Sequence, residues 1–395
     1  MVGQWGKEDE EEVVIRCYDD RRDRIEMDCL EKSCEIGHDH QTLLFTDTLG
    51  DPICRIRNTP LFTMLVAEVG KRLVGSIQGS VKPVKFHDKS VKVGYVLGLR
   101  VVPPYRRRGI GSILVRKMEE WFVVNNAELA YMATQKDNEA SLCLFVGRHG
   151  YVVFRNPTIL VNPVNRGWGL KLSSDIGIRK LKVKEAASWY RRHVASTTEF
   201  FPDDIDKILR NKLSMGTWVA YYNNDVDNIE SWAMVSVWDS SKIFKLRIGK
   251  APFSYLLLTK VCNFLGRLLP FLRLKALPDL FTPFGFYFLY GVHMEGPLCG
   301  KLVTALCDHV HNMAASSDDG DACKVVVVEV DGDDDDDDDS LLRKCVPHWK
   351  MLSCDDDTWC IKPLKCEEKM AGNLSEFSNM HLGSRSSLFV DPRDV

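Results

Sequence analysis

The sequence predicts an α/β protein with mixed sheets, laid out as two successive halves of one plan. Three observations carry that prediction. An extended apolar run, Tyr95 to Val102, feeds a glycine-containing turn from which an amphipathic helix leaves. Strand-like alternation and helix-like periodicity follow one another over residues 12–163, and a similar order restarts after residue 177. Finally, 395 residues that are 45% hydrophobic and 27% charged suffice for the cores of two domains.

In chain order, the β-branched run Val13 to Tyr18 reads as a first strand and Asp20 to Cys34 as a helix. Phe62 to Val69 and Leu73 to Lys82 flank the turn Gly70-Lys71-Arg72 and read as a hairpin. Tyr95 to Val102 is the next strand, stopped by Pro103-Pro104. From Ser112 onward Ile113, Leu114, Met118 and Trp121 recur at helical spacing. Leu129 to Thr134 is a short strand, Asn138-Glu139-Ala140-Ser141 opens a helix carrying Leu142, Leu144 and Phe145, and Gly150-Tyr151-Val152-Val153 resumes an extended run.

The stretch Arg106-Arg107-Arg108-Gly109-Ile110-Gly111 is the strongest chemical signal. Glycines at 109 and 111 let the backbone turn tightly, so that N–H groups and the positive end of the helix converge on one anion. The adjoining arginines add charge-assisted hydrogen bonds. A dinucleotide fold wants a third glycine where Leu114 stands, and a P-loop wants Gly-Lys-Ser/Thr, which does not follow. An arginine-rich surface turn before a helix is the competing reading of the hexapeptide.

Behind the strand Leu99-Arg100-Val101-Val102-Pro103, the pattern R/Q-x-x-G-x-G/A resembles the acetyl-CoA motif of the GNAT acyltransferases. The Asn138 segment, with Phe145 and Gly150-Tyr151, resembles that family's second motif. Over nearly the full length, "DPICRIRNTP", "YVLGLRVVPPYRRRGIG", "TTEFFPDDID", "ESWAMVSVWD", "VPHWKMLSCDDDTWCIK" and "LFVDPRDV" resemble the Hookless-type plant N-acetyltransferase-like proteins. That resemblance implies a GNAT fold over residues 12–163, acetyl-CoA as co-substrate and a protein amine, lysine with histone lysine among the candidates, as acceptor. It also implies a nuclear or nucleocytoplasmic regulator of hormone-controlled growth.

For the site, the resemblance implies that backbone groups of Leu99 and Val101 pair with pantetheine and that the Val101 N–H polarises the thioester oxygen. N–H groups from Arg107, Arg108, Gly109, Ile110, Gly111 and Ser112 would take the pyrophosphate, and the Arg106 side chain would brace the loop. Asn138 matches a donor-contacting position, with a plain helix cap as its equal alternative. Members of the family place a glutamate where Tyr95 stands, or near Ala133 and Thr134; neither carboxylate is present here. Tyr95 is therefore the candidate catalytic residue, with core packing as the competing reading. Phe145 has no proton to offer a leaving thiolate.

After a linker at 164–177, Ile178 to Lys182, Lys184 to Ser196, Thr217 to Tyr222, Ser231 to Val237, Phe286 to Val292, Lys301 to Met313 and Val325 to Val330 repeat the order strand, helix, two strands, strand, helix, strand. Residues 178–365 are thus expected to form a second, degenerate GNAT-like half. Its loop His293 to Gly300 lacks the arginines and the glycine spacing, which leaves one CoA per chain. Glu295, Asp203 and Asp204 are candidates for an acidic wall of the acceptor cleft, with capping or surface roles as the alternative, and residues 1–165 alone would hold the donor. The aspartate run 333–339 is expected to be a disordered loop, either solubilising or holding a basic partner. Residues 1–11 read as an acidic extension and 366–395 as a tail.

Other function classes fare worse. The first residues lack a secretory signal, and thirteen cysteines without a Cys-x-x-Cys fit a reducing intracellular compartment. Cations and prolines interrupt the apolar region Tyr255 to Val292, so no membrane span is expected; a membrane-surface or partner-binding helix there competes with a buried one. Cys307 and His311 share a helix face but lack two further ligands, so no metal is expected. No Gly-x-Ser-x-Gly supports a serine nucleophile, and a CoA footprint explains the basic turn without nucleic acid. A non-catalytic acyl-CoA-binding scaffold is the runner-up to the N-acetyltransferase. Oligomeric state is not legible in the chain.

Overall fold

The computed structural model describes residues 12–34, 43–86, 89–165, 170–171, 173–223, 230–250, 278–316, 323–330, 337–354, 357–364 and 387–395. The acidic run at 8–11, the apolar stretch 255–277, aspartates 333–336 and positions 366–386 lie outside the described residues.

The first half runs β1 (Val13–Cys17), α1 (Asp20–Ser33), β2 (Leu43–Asp47), β3 (Leu61–Val69), β4 (Arg72–Phe86), β5 (Lys89–Val101), α2 (Ile110–Val124), β6 (Leu129–Gln135), α3 (Glu139–His149), β7 (Val152–Arg155) and β8 (Thr158–Pro163). The second runs β9 (Ile176–Leu181), α4 (Val183–Trp189), β10 (Thr198–Glu199), β11 (Phe201–Pro202), α5 (Ile205–Arg210), β12 (Ser214–Tyr222), β13 (Trp232–Asp239), β14 (Lys245–Lys250), β15 (Gly285–Glu295), α6 (Cys299–Ala315), β16 (Cys323–Val330), α7 (Asp337–Cys345), β17 (Asp357–Pro363) and β18 (Ser387–Leu388).

Two mixed sheets organise these elements. The first is ordered β1-β3-β4-β5-β6-β17-β7, with β11 pairing the far end of β4; the second is β8-β16-β15-β13-β12-β9. Helix α2 covers the first sheet with Ile110, Leu114, Met118 and Phe122, each at most 1% exposed. Their i, i+4 spacing puts them on one stripe, and each such burial is worth about 1.5–3 kcal/mol. Helix α6 does the same for the second sheet with Leu302, Val303, Leu306 and Val310.

The halves exchange strands, which local periodicity does not reveal. Strand β8 leaves the first half and pairs with β16 from Thr158↔Val330 to Pro163↔Val325. Strand β17 returns from the second half and fills the space between β6 and β7. An open strand edge is a row of unpaired N–H and C=O groups, and the exchange closes edges that either half alone would expose. A fragment of residues 1–165 thus lacks one strand of its own sheet.

Helix α7 begins at Asp337, within the expected aspartate loop, the rest of which lies outside the described residues. Within the expected tail, Phe389, Val390, Asp391, Arg393 and Asp394 are each at most 6% exposed.

Candidate functional site

The site begins with a defect in β5. Gly98 has φ +61°, and the β4–β5 register slips between Ser76 and Gln78. That bulge needs a residue tolerant of the left-handed region. Past it, Gly75 faces Val101 while the Val102 N–H donates to Val74 O at 3.0 Å. The Gly75–Val101 pair is therefore of the non-hydrogen-bonded kind, and the N–H and C=O of Val101 point away from β4. Leu99, two residues earlier, shares that edge.

On that side the sheet opens. Parallel pairing of β5 with β6 runs only from Val93↔Leu129 to Val96↔Met132. Beyond it β6 continues with β17, so Leu99 and Val101 border a gap. The Arg106 Nε donates to Val101 O at 2.9 Å, tying the turn to the strand.

Pro103–Tyr105 make one 3₁₀ turn, Arg107 takes φ +64°, and Gly109 takes φ +83° immediately before α2. No side chain caps α2. Its first N–H groups, at Ile110, Gly111 and Ser112, have no acceptor within the helix. A Cβ at Gly109 would meet nothing within 4 Å, so the space before these donors is open. Arg106, Arg107 and Arg108 are exposed around it, with the Arg108 guanidinium 5.1 Å from the Tyr105 ring centroid. The Ile110 side chain is buried and anchors the turn, leaving only its backbone for a ligand.

The structure thus brings Leu99, Val101 and 106–112 together. Ser112 Oγ lies 2.9 Å from His149 Nε2. Burial pushes the His149 imidazole below its ordinary value, with Glu119 partly opposing. Asn138 sits at the start of α3, where its Oδ1 accepts the Ser141 N–H at 3.2 Å and its Nδ2 donates to Thr134 Oγ1 at 3.0 Å. This is the helix-capping alternative.

Tyr95 is not placed as a proton carrier. It is 6% exposed and stacks on Tyr131 at 4.7 Å, which in turn stacks on Trp359 at 5.4 Å. Burial drives its hydroxyl far above the ordinary tyrosine value, so the phenolate is not available as a base. Around this aromatic row the structure gathers carboxylates from distant positions. Tyr131 Oη donates to Asp394 Oδ2 at 2.5 Å, and Trp359 Nε1 donates to Glu329 Oε1 at 3.0 Å. Asp357 stands on β17 in register with Gln135. Asp357 and Trp359 lie in the "DDDTW" of one family-like segment and Asp394 in another, but nothing in their spacing marked them as neighbours of Tyr131 or of Glu329.

The acids expected to form an acceptor wall are otherwise engaged. Asp204 is forked by Arg393 at 2.9 Å, and Asp203 accepts from the Ser90 hydroxyl. The Glu295 carboxylate faces His193 Nδ1 at 3.1 Å and His293 Nε2 at 3.0 Å, and accepts the Trp232 indole N–H at 3.2 Å. In the second half Gly291 repeats the positive φ and register slip of the bulge, and β15 pairs with β16 only as far as Leu289↔Val328. Leu298, not glycine, precedes α6 in the left-handed region, and the Tyr190 hydroxyl lies against the bulge, 3.3 Å from Gly291 O. His311 Nε2 accepts the Asn165 N–H at 3.0 Å, a structural role. Among the described residues no group of His, Cys, Asp and Glu is arranged to hold a metal, and no helix is long and apolar enough to cross a membrane.

Comparison with known proteins bears on this geometry. The profile of the acetyltransferase (GNAT) family matches residues 24–151. "Probable N-acetyltransferase HLS1-like" of Arabidopsis thaliana is 41% identical over 97% of this chain and 99% of its own length. "Acetyl transferase GW6a" of Oryza sativa subsp. japonica is 36% identical over 97% of both. Among solved structures, Saccharomyces cerevisiae N-myristoyltransferase with bound myristoyl-CoA superimposes with a TM-score of 0.52 at 11% identity, covering 89% of this chain and 79% of that one. That likeness extends over both halves and concerns the fold alone.

Proposed function

The chain belongs to the acetyltransferase (GNAT) family, in the group represented by the Arabidopsis HLS1-type N-acetyltransferases, and from that premise we propose that it transfers acetyl from acetyl-CoA to a protein amine. One observation carries the donor side. The backbone edge of Leu99 and Val101 opens into the gap beside an uncapped helix start with open space before it. Extended pantetheine can pair with such an edge as a partial added strand, while the N–H groups of Ile110 to Ser112 and the flanking arginines suit a pyrophosphate. The Val101 N–H is the group that can polarise the thioester oxygen.

The acceptor class rests on family membership and on Glu329 and Asp357, partly exposed carboxylates beside Trp359, which favour a cationic amine over an anionic one. Lysine of a basic protein, histones included, is the acceptor we propose, in the nucleus or nucleocytoplasm of a plant cell and in control of growth. The test is thiol release from acetyl-CoA with a panel of basic peptides, alongside calorimetry of CoA binding. Turnover that needs both donor and peptide supports the assignment.

A second reading, a non-catalytic acyl-CoA-binding scaffold, is favoured by the burial of Tyr95 and by Phe145, which is 1% exposed and without a transferable proton. Tight CoA binding without transfer to any peptide would select it.

A further inference from the structure

The reaction proposed above needs a group to take a proton from the acceptor amine, and neither Tyr95 nor the Ala133–Thr134 segment supplies one. The aromatic row ends in an unusual arrangement. The Trp359 indole N–H donates to Glu329 Oε1 at 3.0 Å, and the Asp357 carboxyl stands two residues along the same strand, where the indole favours its charged form. Carboxylates from two different sheets, on β16 and β17, thus flank one indole. Both are partly exposed, whereas Trp359 between them is 3% exposed.

Their position relative to the gap is set by register. On β17, Trp359 faces Ala133 and Asp357 faces Gln135. These are the residues of β6 that lie past Met132, where pairing with β5 has ended. Alternation puts Asp357 on the same sheet face as Trp359, and Ala133 and Gln135 on the face of Tyr131. Trp359 stacks on Tyr131, so all of these share the face that also carries Tyr95. Asp357 therefore stands one strand away from the gap, opposite Gln135 and diagonal to the small Ala133.

We infer that Asp357 is the proton acceptor of the transfer and that Glu329, which holds the Trp359 indole beside it, is its positioning residue. This rests on the acetyltransferase reading. An ammonium entering beside Ala133 meets the carboxylate and passes one proton to it. The freed amine lone pair forms the C–N bond to the thioester carbon as the C–S bond breaks. The second nitrogen proton passes to the departing sulfur, and Asp357 returns the first to solvent, so amide, free thiol and one proton are the products.

The surroundings suit that work. Burial raises the Asp357 carboxyl to about 6, opposed by hydrogen bonds from the Thr358 backbone and the Trp359 indole. The other groups facing it are Glu329 on β16, Gln135 on β6, the high-titrating Tyr95 and Tyr131, and Arg155 on β7, which pairs in register with Trp359. Burial together with a second carboxylate across the same indole disfavours charge on Asp357, which keeps it basic near neutrality.

The test uses the full chain, the peptide substrate found in the assay above, and the variants Asp357→Asn, Asp357→Glu and Glu329→Gln. Asp357→Asn should lower kcat by about 10²–10⁴-fold and abolish the acid limb of the kcat–pH profile near pH 6, with acetyl-CoA affinity by calorimetry unchanged. Asp357→Glu should recover part of kcat and the limb, and Glu329→Gln should move the limb to lower pH by removing a like charge. Transfer by Asp357→Asn within threefold of the parent, with the limb intact, overturns this inference and leaves the acetyltransferase reading standing. Acetyl-CoA binding by the parent with no transfer to any amine overturns both. If Asp357→Asn fails to fold, an unmoved limb in Glu329→Gln together with full kcat in Asp357→Glu overturns the inference alone.

Discussion

Lys82, in the middle of β4, and Asp394, the next-to-last residue, form a buried ion pair across 312 positions of the chain. Lys82 is 1% exposed and meets Asp391 as well, at 3.1 Å. Arg393 forks both Asp391 and Asp204, so the final residues tie the first sheet to the segment that opens α5. A buried ammonium is tolerated only while its anions stay in place. Burial alone would raise the Asp391 carboxyl, but Arg393 and Lys82 outweigh it and hold it well below its ordinary value.

Deleting residues 389–395 should therefore destabilise the fold by about 3–5 kcal/mol, since it orphans the charge of Lys82. Lys82→Met in the truncated chain should recover part of that loss. Urea denaturation measures both, and a truncated chain as stable as the parent would refute the clamp.

Gly109→Asp should abolish CoA binding. The left-handed φ costs a side-chain-bearing residue about 1–2 kcal/mol, and the carboxylate would project into the open space where a pyrophosphate has to sit. Calorimetry with CoA decides it, and unchanged affinity would remove this turn from the donor site.

Arg106→Ala should weaken CoA about fivefold, the roughly 1 kcal/mol of a typical hydrogen bond, because it releases the turn from Val101. Pantetheine, which lacks phosphates, should lose less. Equal losses for the two ligands would point to general loosening of the fold.

His149 makes stability depend on pH in a definite direction. Burial lowers its imidazole below 6.5, helped by Lys362, Arg116 and Arg148. As pH falls through about 6.5 the unfolded chain takes up a proton that the folded one refuses, so this contribution to stability declines on acidification. His149→Gln should flatten that part of the thermal-stability profile between pH 7 and 5. An identical slope in the variant would show that other groups set it.

Residues whose roles depend on near neighbours were legible from sequence. Arg106 to Gly111 sits between a strand and a helix, so strand, turn and helix start could be read from alternation, prolines and glycine spacing over some thirty positions. The second half was legible for the same reason: the expected strands at 217–222 and 325–330 lie within β12 and β16, 286–292 within β15, and 231–237 overlaps β13 from Trp232 onward. Tertiary structure alone decided which distant strands close each sheet and which side chains meet between the halves. The insertion of β17 beside β6, the passage of β8 to the second sheet, the Lys82–Asp394 pair and the convergence of Glu329 and Asp357 on Trp359 join residues that are mostly far apart in the chain. Such contacts are selected by edge pairing and by the cost of burying unpaired charge, quantities that exist only once the chain has folded, so periodicity does not carry them.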